Sequence, residues 1–168
     1  MDIQRIKAAI ERSVRALSAR PGAAKSTERT VVTGEGDHFE AKEGPWTFRI
    51  DAHESFGGLG VHPGPNTLGR AALGHCMCHS IVATFALMEI PIRSIEIEVE
   101  SFSDLRGAFG IDANEPSGFK ELKYRVKVDS DATPEQLEQI VAAAEKMSPW
   151  YDNMSKPITI SREIVSAG

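Results

Sequence analysis

The chain is poor in cysteine, with only Cys76 and Cys78 among 168 residues. Two cysteines that close together cannot frame a disulfide-stapled secreted scaffold, so the expected compartment is reducing and cytoplasmic. Basic excess is also missing. The net charge is -5, which leaves no positive stripe for a phosphate backbone and argues against a nucleic-acid partner. There is no apolar run long enough to span a bilayer, and no charged-then-apolar leader at the start, so no membrane role is expected. What remains is a chain long enough for one domain with a real core.

The most informative stretch is Ala71-Ala72-Leu73-Gly74-His75-Cys76-Met77-Cys78-His79-Ser80, in a long, nearly uncharged segment after Gly64-Pro65-Asn66. It lies in a segment that reads as a helix from about Thr67 to Glu89, apolar on most sides and therefore interior. A thiol on such a helix is either inert filling or the centre of the chemistry. His75 and His79, four residues apart, share one face of that helix, and either could activate a neighbouring thiol.

Other segments supply the layers around it. Ile3, Ile6, Ile10, Val14 and Leu17 recur at three- and four-residue steps, which predicts an amphipathic N-terminal helix stopped by Pro21-Gly22. With its linker this makes residues 1–24 a separate element before a single domain at 25–168. Thr30–Gly34 and Phe39–Ala52 read as two strands joined by a turn at Glu35-Gly36-Asp37. Ile95, Ile97 and Val99 alternate with three glutamates. Leu122, Tyr124, Val126 and Val128 alternate with Lys123, Arg125 and Lys127. Opposite outward charges predict that these two strands are antiparallel neighbours. Thr133-Pro134-Glu135-Gln136 opens a second long helix with a capping box, which ends near Met147. Ser148-Pro149 reads as a fresh N-cap, and Ile158–Val165 as a closing strand. The order of elements predicts an α+β fold with an antiparallel sheet packed on two long helices.

Gly57-Gly58, Gly64-Pro65-Asn66 and Ala71-Ala72-Leu73-Gly74-x-Cys76 together resemble the OsmC/Ohr family of osmotically induced and organic-hydroperoxide-resistance proteins. The resemblance runs from about Thr30 to Val165. It implies an intertwined homodimer and a cytoplasmic role in oxidative-stress defence. It also implies a helix cysteine that reduces organic hydroperoxides, with a second cysteine that resolves it as a disulfide. Cys76 falls on the position of the peroxidatic cysteine. The resolving position falls on Ser148, which cannot form a disulfide, so an external thiol would have to reduce the oxidised enzyme. Cys78 cannot substitute, because residues two apart on a helix point about 200° apart. The family's activating arginine falls on Gly36, with His38 the nearest replacement, and its glutamate falls near Asn66 or Thr67.

The candidate site is therefore Cys76 with His75, His79, Ser148 and His38, and neither a cofactor nor a metal is expected. Trp150 and Tyr151 could line an apolar mouth near Ser148. Two other readings stand beside the hydroperoxide reductase. One is a non-enzymatic protein that binds a small apolar ligand on the same scaffold. The other is a metal module built on His75, Cys76 and His79.

Overall fold

A computed structural model describes residues 1–36 and 38–166, so Asp37 of the first turn lies outside the described residues. Helix α1 spans Ile3–Ala19. A three-stranded antiparallel sheet follows, with β1 at Val31–Glu35, β2 at His38–Glu43 and β3 at Trp46–Ile50. The long helix α2 spans Pro65–Leu87, and β4 (Ile92–Phe102) pairs antiparallel with β5 (Glu121–Ser130) across a short helix α3, Leu105–Ala108. Helix α4 (Pro134–Met147) and helix α5 (Pro149–Ser155) complete the described elements.

The core lies between α2, the β4–β5 pair and α4. Leu73, Met77, Ile81 and Phe85 of α2 are buried against Ile140 and Ala144 of α4 and Ile92 of β4. These α2 positions recur at four-residue steps and form one stripe, which explains why this helix sits inside. The inner faces of β4 and β5 add Ile95, Ile97, Val99, Leu122, Tyr124 and Val126 to the same cluster. Gly74 faces Val99 of β4.

The charge pattern of β4 and β5 translates into register. Glu96 lies opposite Lys127, Glu98 opposite Arg125 and Glu100 opposite Lys123. Arg125 reaches Glu98 at 3.3 Å and Lys127 reaches Glu96 at 4.0 Å, all on exposed side chains. Such pairs set register more than they add stability, at about 0.2–1 kcal/mol each. The capping box at Thr133 and Gln136 is present, with both reciprocal hydrogen bonds formed.

Two strand readings need correction. Phe39–Ala52 is not one strand but β2 and β3, folded back at Gly44, whose φ of 53° suits a tight turn that a side chain would strain. Ile158–Val165 forms no regular element and belongs to no ladder among the described residues, and Ile160 is 86% exposed. Alternation signals the ability to form a strand, whereas a strand exists only where a partner's N–H and C=O groups meet it. In α1, Ile3 and Ile6 pack on the core and Lys7 pairs with Glu89 at 2.8 Å, while Val14 and Leu17 are exposed. No helix among the described residues is long and apolar enough to cross a membrane.

Candidate functional site

The site begins with a proline. Pro149 disfavours helical backbone at the residue before it, so α4 ends at Met147 and Ser148 turns to extended geometry with φ −86° and ψ 110°. That break aims the Ser148 side chain inward, where the residue is only 1% exposed. Its hydroxyl donates to Cys76 Sγ at 3.2 Å and accepts from the Tyr151 backbone N–H at 3.3 Å. The donor and one acceptor site of the hydroxyl are thus both used, as burial demands.

Cys76 sits on the partly covered side of α2, and both cysteines are free thiols. Ser148 is the one hydrogen-bond partner of its sulfur among the described residues. Burial pushes the Cys78 thiol up from the ordinary cysteine range, which disfavours its thiolate. The residue distinguished by position is therefore Cys76, set against a hydroxyl contributed from 72 residues further along the chain.

The other expected members do not converge on the sulfur within this chain. His75 and His79 occupy the exposed face of α2, and neither hydrogen-bonds to Cys76. His38 is exposed at the start of β2, opposite Glu35, on the separate N-terminal sheet. No three His, Cys, Asp or Glu side chains among the described residues are grouped as a metal ion would need, so the metal module finds no support.

Two features escaped the sequence reading. The first is Asp51, 5% exposed at the end of β3. Its carboxylate accepts the N–H groups of Ala52 at 2.7 Å, Leu59 at 3.3 Å and Val61 at 3.0 Å, which folds the glycine-rich loop back on itself. The Val61 N–H, aided by those of Leu59 and Ala52 and opposed by burial, holds this carboxyl below the usual carboxylate range. Gly58 passes so close that a Cβ there would stand 2.1 Å from the Ala52 carbonyl oxygen. The available signal was an aspartate between an alternating strand and a loop of glycines. The loop then delivers the chain to the start of α2, the helix that carries Cys76.

The second is the partner of Tyr151: the sequence pointed to Tyr151 and Trp150 near Ser148, but not to Tyr124. The Tyr124 hydroxyl donates to the Glu145 carboxylate, and the Tyr151 ring meets Tyr124 edge-on with centroids 6.4 Å apart. Burial, then the bond to Glu145, pushes the Tyr124 phenol well above its ordinary value, so it stays a donor. Tyr124 and Tyr151 also line a cavity of about 500 Å³ with Leu73, Leu122 and Met154.

Comparison with known proteins places this architecture. An OsmC-like protein from Mycoplasma pneumoniae superposes with a TM-score of 0.68 at 12% identity, covering 78% of this chain and 89% of that one. An organic hydroperoxide resistance protein OsmC from Legionella pneumophila gives 0.55 at 17% identity, covering 77% and 91%. An organic hydroperoxide resistance protein from Elizabethkingia anophelis gives 0.55 at 15%, covering 76% and 87%. At such identities the likeness is one of fold. No curated protein matches the sequence. The sequence profile of the OsmC-like proteins, however, matches residues 57–163, which include the glycine-rich loop, Cys76 and Ser148, and by that match the chain belongs to the OsmC-like protein family.

Proposed function

We propose that the protein is a thiol-dependent reductase of small organic hydroperoxides that works with one cysteine. The observation that carries this reading is the 3.2 Å contact between Ser148 Oγ and Cys76 Sγ. It supports Cys76 as the attacking sulfur and Ser148 as the occupant of the place where a resolving cysteine would stand. The Cys76 thiolate attacks the terminal oxygen of the hydroperoxide, the O–O bond breaks, and the leaving alkoxide takes a proton to become an alcohol. Cys76 is left as a sulfenic acid, within reach of the Ser148 hydroxyl as a hydrogen-bond donor. A first external thiol then condenses with it, releasing water and forming a mixed disulfide. A second thiol displaces Cys76 and leaves as the external disulfide. A reducing, cytoplasmic setting would supply those thiols.

A homodimer is part of the proposal. Among the described residues no helix makes extensive contact with the β1–β3 sheet, Trp46 is 72% exposed, and Val31, Val32, Phe48 and the segment Ile158–Val165 leave further apolar surface open. A second copy of the chain would cover such faces. Light scattering that gives the mass of one chain would remove this part.

The activity itself is tested by hydroperoxide consumption with tert-butyl hydroperoxide and a dithiol. Turnover is expected for the wild type and for Cys78→Ser, and none for Cys76→Ser; equal consumption by the Cys76 variant would overturn the assignment. The cavity beside Tyr151 favours one second reading, a non-enzymatic carrier of a small apolar ligand. That reading requires a co-purifying ligand in native mass spectra and binding unaffected by Cys76→Ser.

A further inference from the structure

The Ser148 hydroxyl is held by one bond and aimed by another. As the residue before Pro149 it caps α5, and its Oγ accepts the Tyr151 N–H at 3.3 Å. That bond occupies a lone pair and fixes the side chain, which leaves the single hydroxyl proton to be given elsewhere. It is given to Cys76 Sγ, 3.2 Å away. The residue is 1% exposed, so bulk water does not compete for the proton. A neutral thiol gains little from such a donor, whereas a thiolate gains a charge-assisted hydrogen bond of about twice the strength. The contact therefore favours the ionised sulfur.

The charged groups on the helices and strand around α2 are engaged elsewhere or face outward. On α2 itself Arg70 donates to Ser101 of β4 at 3.0 Å, and His75 and His79 are exposed without a bond to the sulfur. On α4 the Glu145 carboxylate takes the Tyr124 hydroxyl, and Lys146 is exposed. On α5 Asp152 pairs with Lys156, on α1 Lys7 pairs with Glu89, and on β4 Glu96 and Glu98 pair with Lys127 and Arg125. Burial holds the Tyr124 and Tyr151 phenols above their ordinary value, so both stay neutral. On the reading of Cys76 as the reactive thiol, we propose that Ser148 is the residue that activates it, its hydroxyl stabilising the thiolate before the attack on the peroxide. A serine at this place cannot resolve the oxidised sulfur, but it supplies the nucleophile with a fixed donor.

The test separates this role from capping. Wild type, Ser148→Ala, Ser148→Thr and Ser148→Asp are compared, all carrying Cys78→Ser, with thermal melts to establish that each is folded. The rate of Cys76 alkylation by iodoacetamide is followed as a function of pH. Alanine removes cap and donor together, threonine keeps both, and aspartate keeps the cap but sets a negative charge against the sulfur. The midpoint of the profile should rise by about one pH unit in Ser148→Ala, the tenfold that a hydrogen bond to a charged group is worth. It should rise further in Ser148→Asp and stay near the wild type in Ser148→Thr. If the aspartate variant does not fold, Ser148→Gly replaces it: glycine caps nearly as well as serine but has no hydroxyl, so the alanine profile is expected. Equal midpoints in all folded variants would overturn the proposal, and so would a wild-type profile for the aspartate or glycine variant. Turnover of tert-butyl hydroperoxide is measured beside it. Midpoints that move as expected without turnover would support the activation while removing the peroxidase reading, and turnover with unmoved midpoints would do the reverse.

Discussion

Replacing Ser148 by cysteine would put two sulfurs where the structure has a sulfur and an oxygen 3.2 Å apart. A disulfide needs about 2.05 Å between sulfurs, and the longer C–S bond takes up part of the difference, so a small rotation at either side chain suffices. The bond would close a loop between residues 72 apart in sequence. The chain-entropy treatment assigns a loop of that length about 4 kcal/mol of stabilisation. For a domain of this size that corresponds to a rise of roughly 10 °C in Tm. A competing effect works on the reduced form. Cysteine is a poorer N-cap than serine, so losing the bond from the Tyr151 N–H costs about 1 kcal/mol. Reduced Ser148→Cys should therefore melt a few degrees below the wild type, and the oxidised protein well above it. One equivalent of hydroperoxide, followed by intact mass and a non-reducing peptide map in a Cys78→Ser background, should reveal a disulfide between Cys76 and the introduced cysteine, with the loss of two hydrogens. Persistence of both thiols after peroxide treatment, or equal melting of the two redox forms, would refute the placement of Ser148 against the reactive sulfur.

Three further outcomes follow from the same geometry. The Asp51 carboxyl is held below its unfolded value, so its contribution is fully present above about pH 4 and is lost as pH falls through the lowered value. The stability gap between wild type and Asp51→Asn should therefore be constant above about pH 5 and narrow toward pH 2 in thermal melts, and a gap independent of pH would contradict it. Gly58→Ala should push the loop off Asp51, because the added Cβ meets the Ala52 carbonyl oxygen at 2.1 Å; faster hydrogen exchange at Leu59 and Val61 is the readout, whereas Gly36→Ala, at a turn with open space, should leave those amides protected. Phe85 is fully buried in the α2 stripe, so Phe85→Ala should cost about 3–5 kcal/mol in urea unfolding, and a loss under about 1 kcal/mol would mean that the core is wrongly placed.

Local signals were legible in the sequence, and contacts distant along the chain mostly were not. The α4 start was readable because Thr133, Pro134 and Gln136 act within one turn. The β4–β5 pairing was readable because glutamates and basic residues had to find each other on the same outer face. The Cys76–Ser148 contact rested on resemblance alone, since nothing in the spacing of two residues in separate helices reveals that a proline-induced break turns one toward the other. Ile158–Val165 misled for a related reason: its alternation is genuine, but no strand among the described residues lies beside it. Asp51 escaped notice because a single acid at a strand end looks like solvated surface until the loop that it gathers is seen. His75 and His79 lie beside Cys76 on α2, and both are exposed in this chain without a hydrogen bond to its sulfur.

The central claim is that Cys76, and not Cys78, is the sulfur that meets a hydroperoxide. Intact mass after a stoichiometric dose of tert-butyl hydroperoxide, with the sulfenic acid trapped by dimedone, tests it most directly. One adduct, mapped to Cys76 and absent from Cys76→Ser, is the expected result. An unmodified Cys76, or an adduct carried by Cys78, would contradict it.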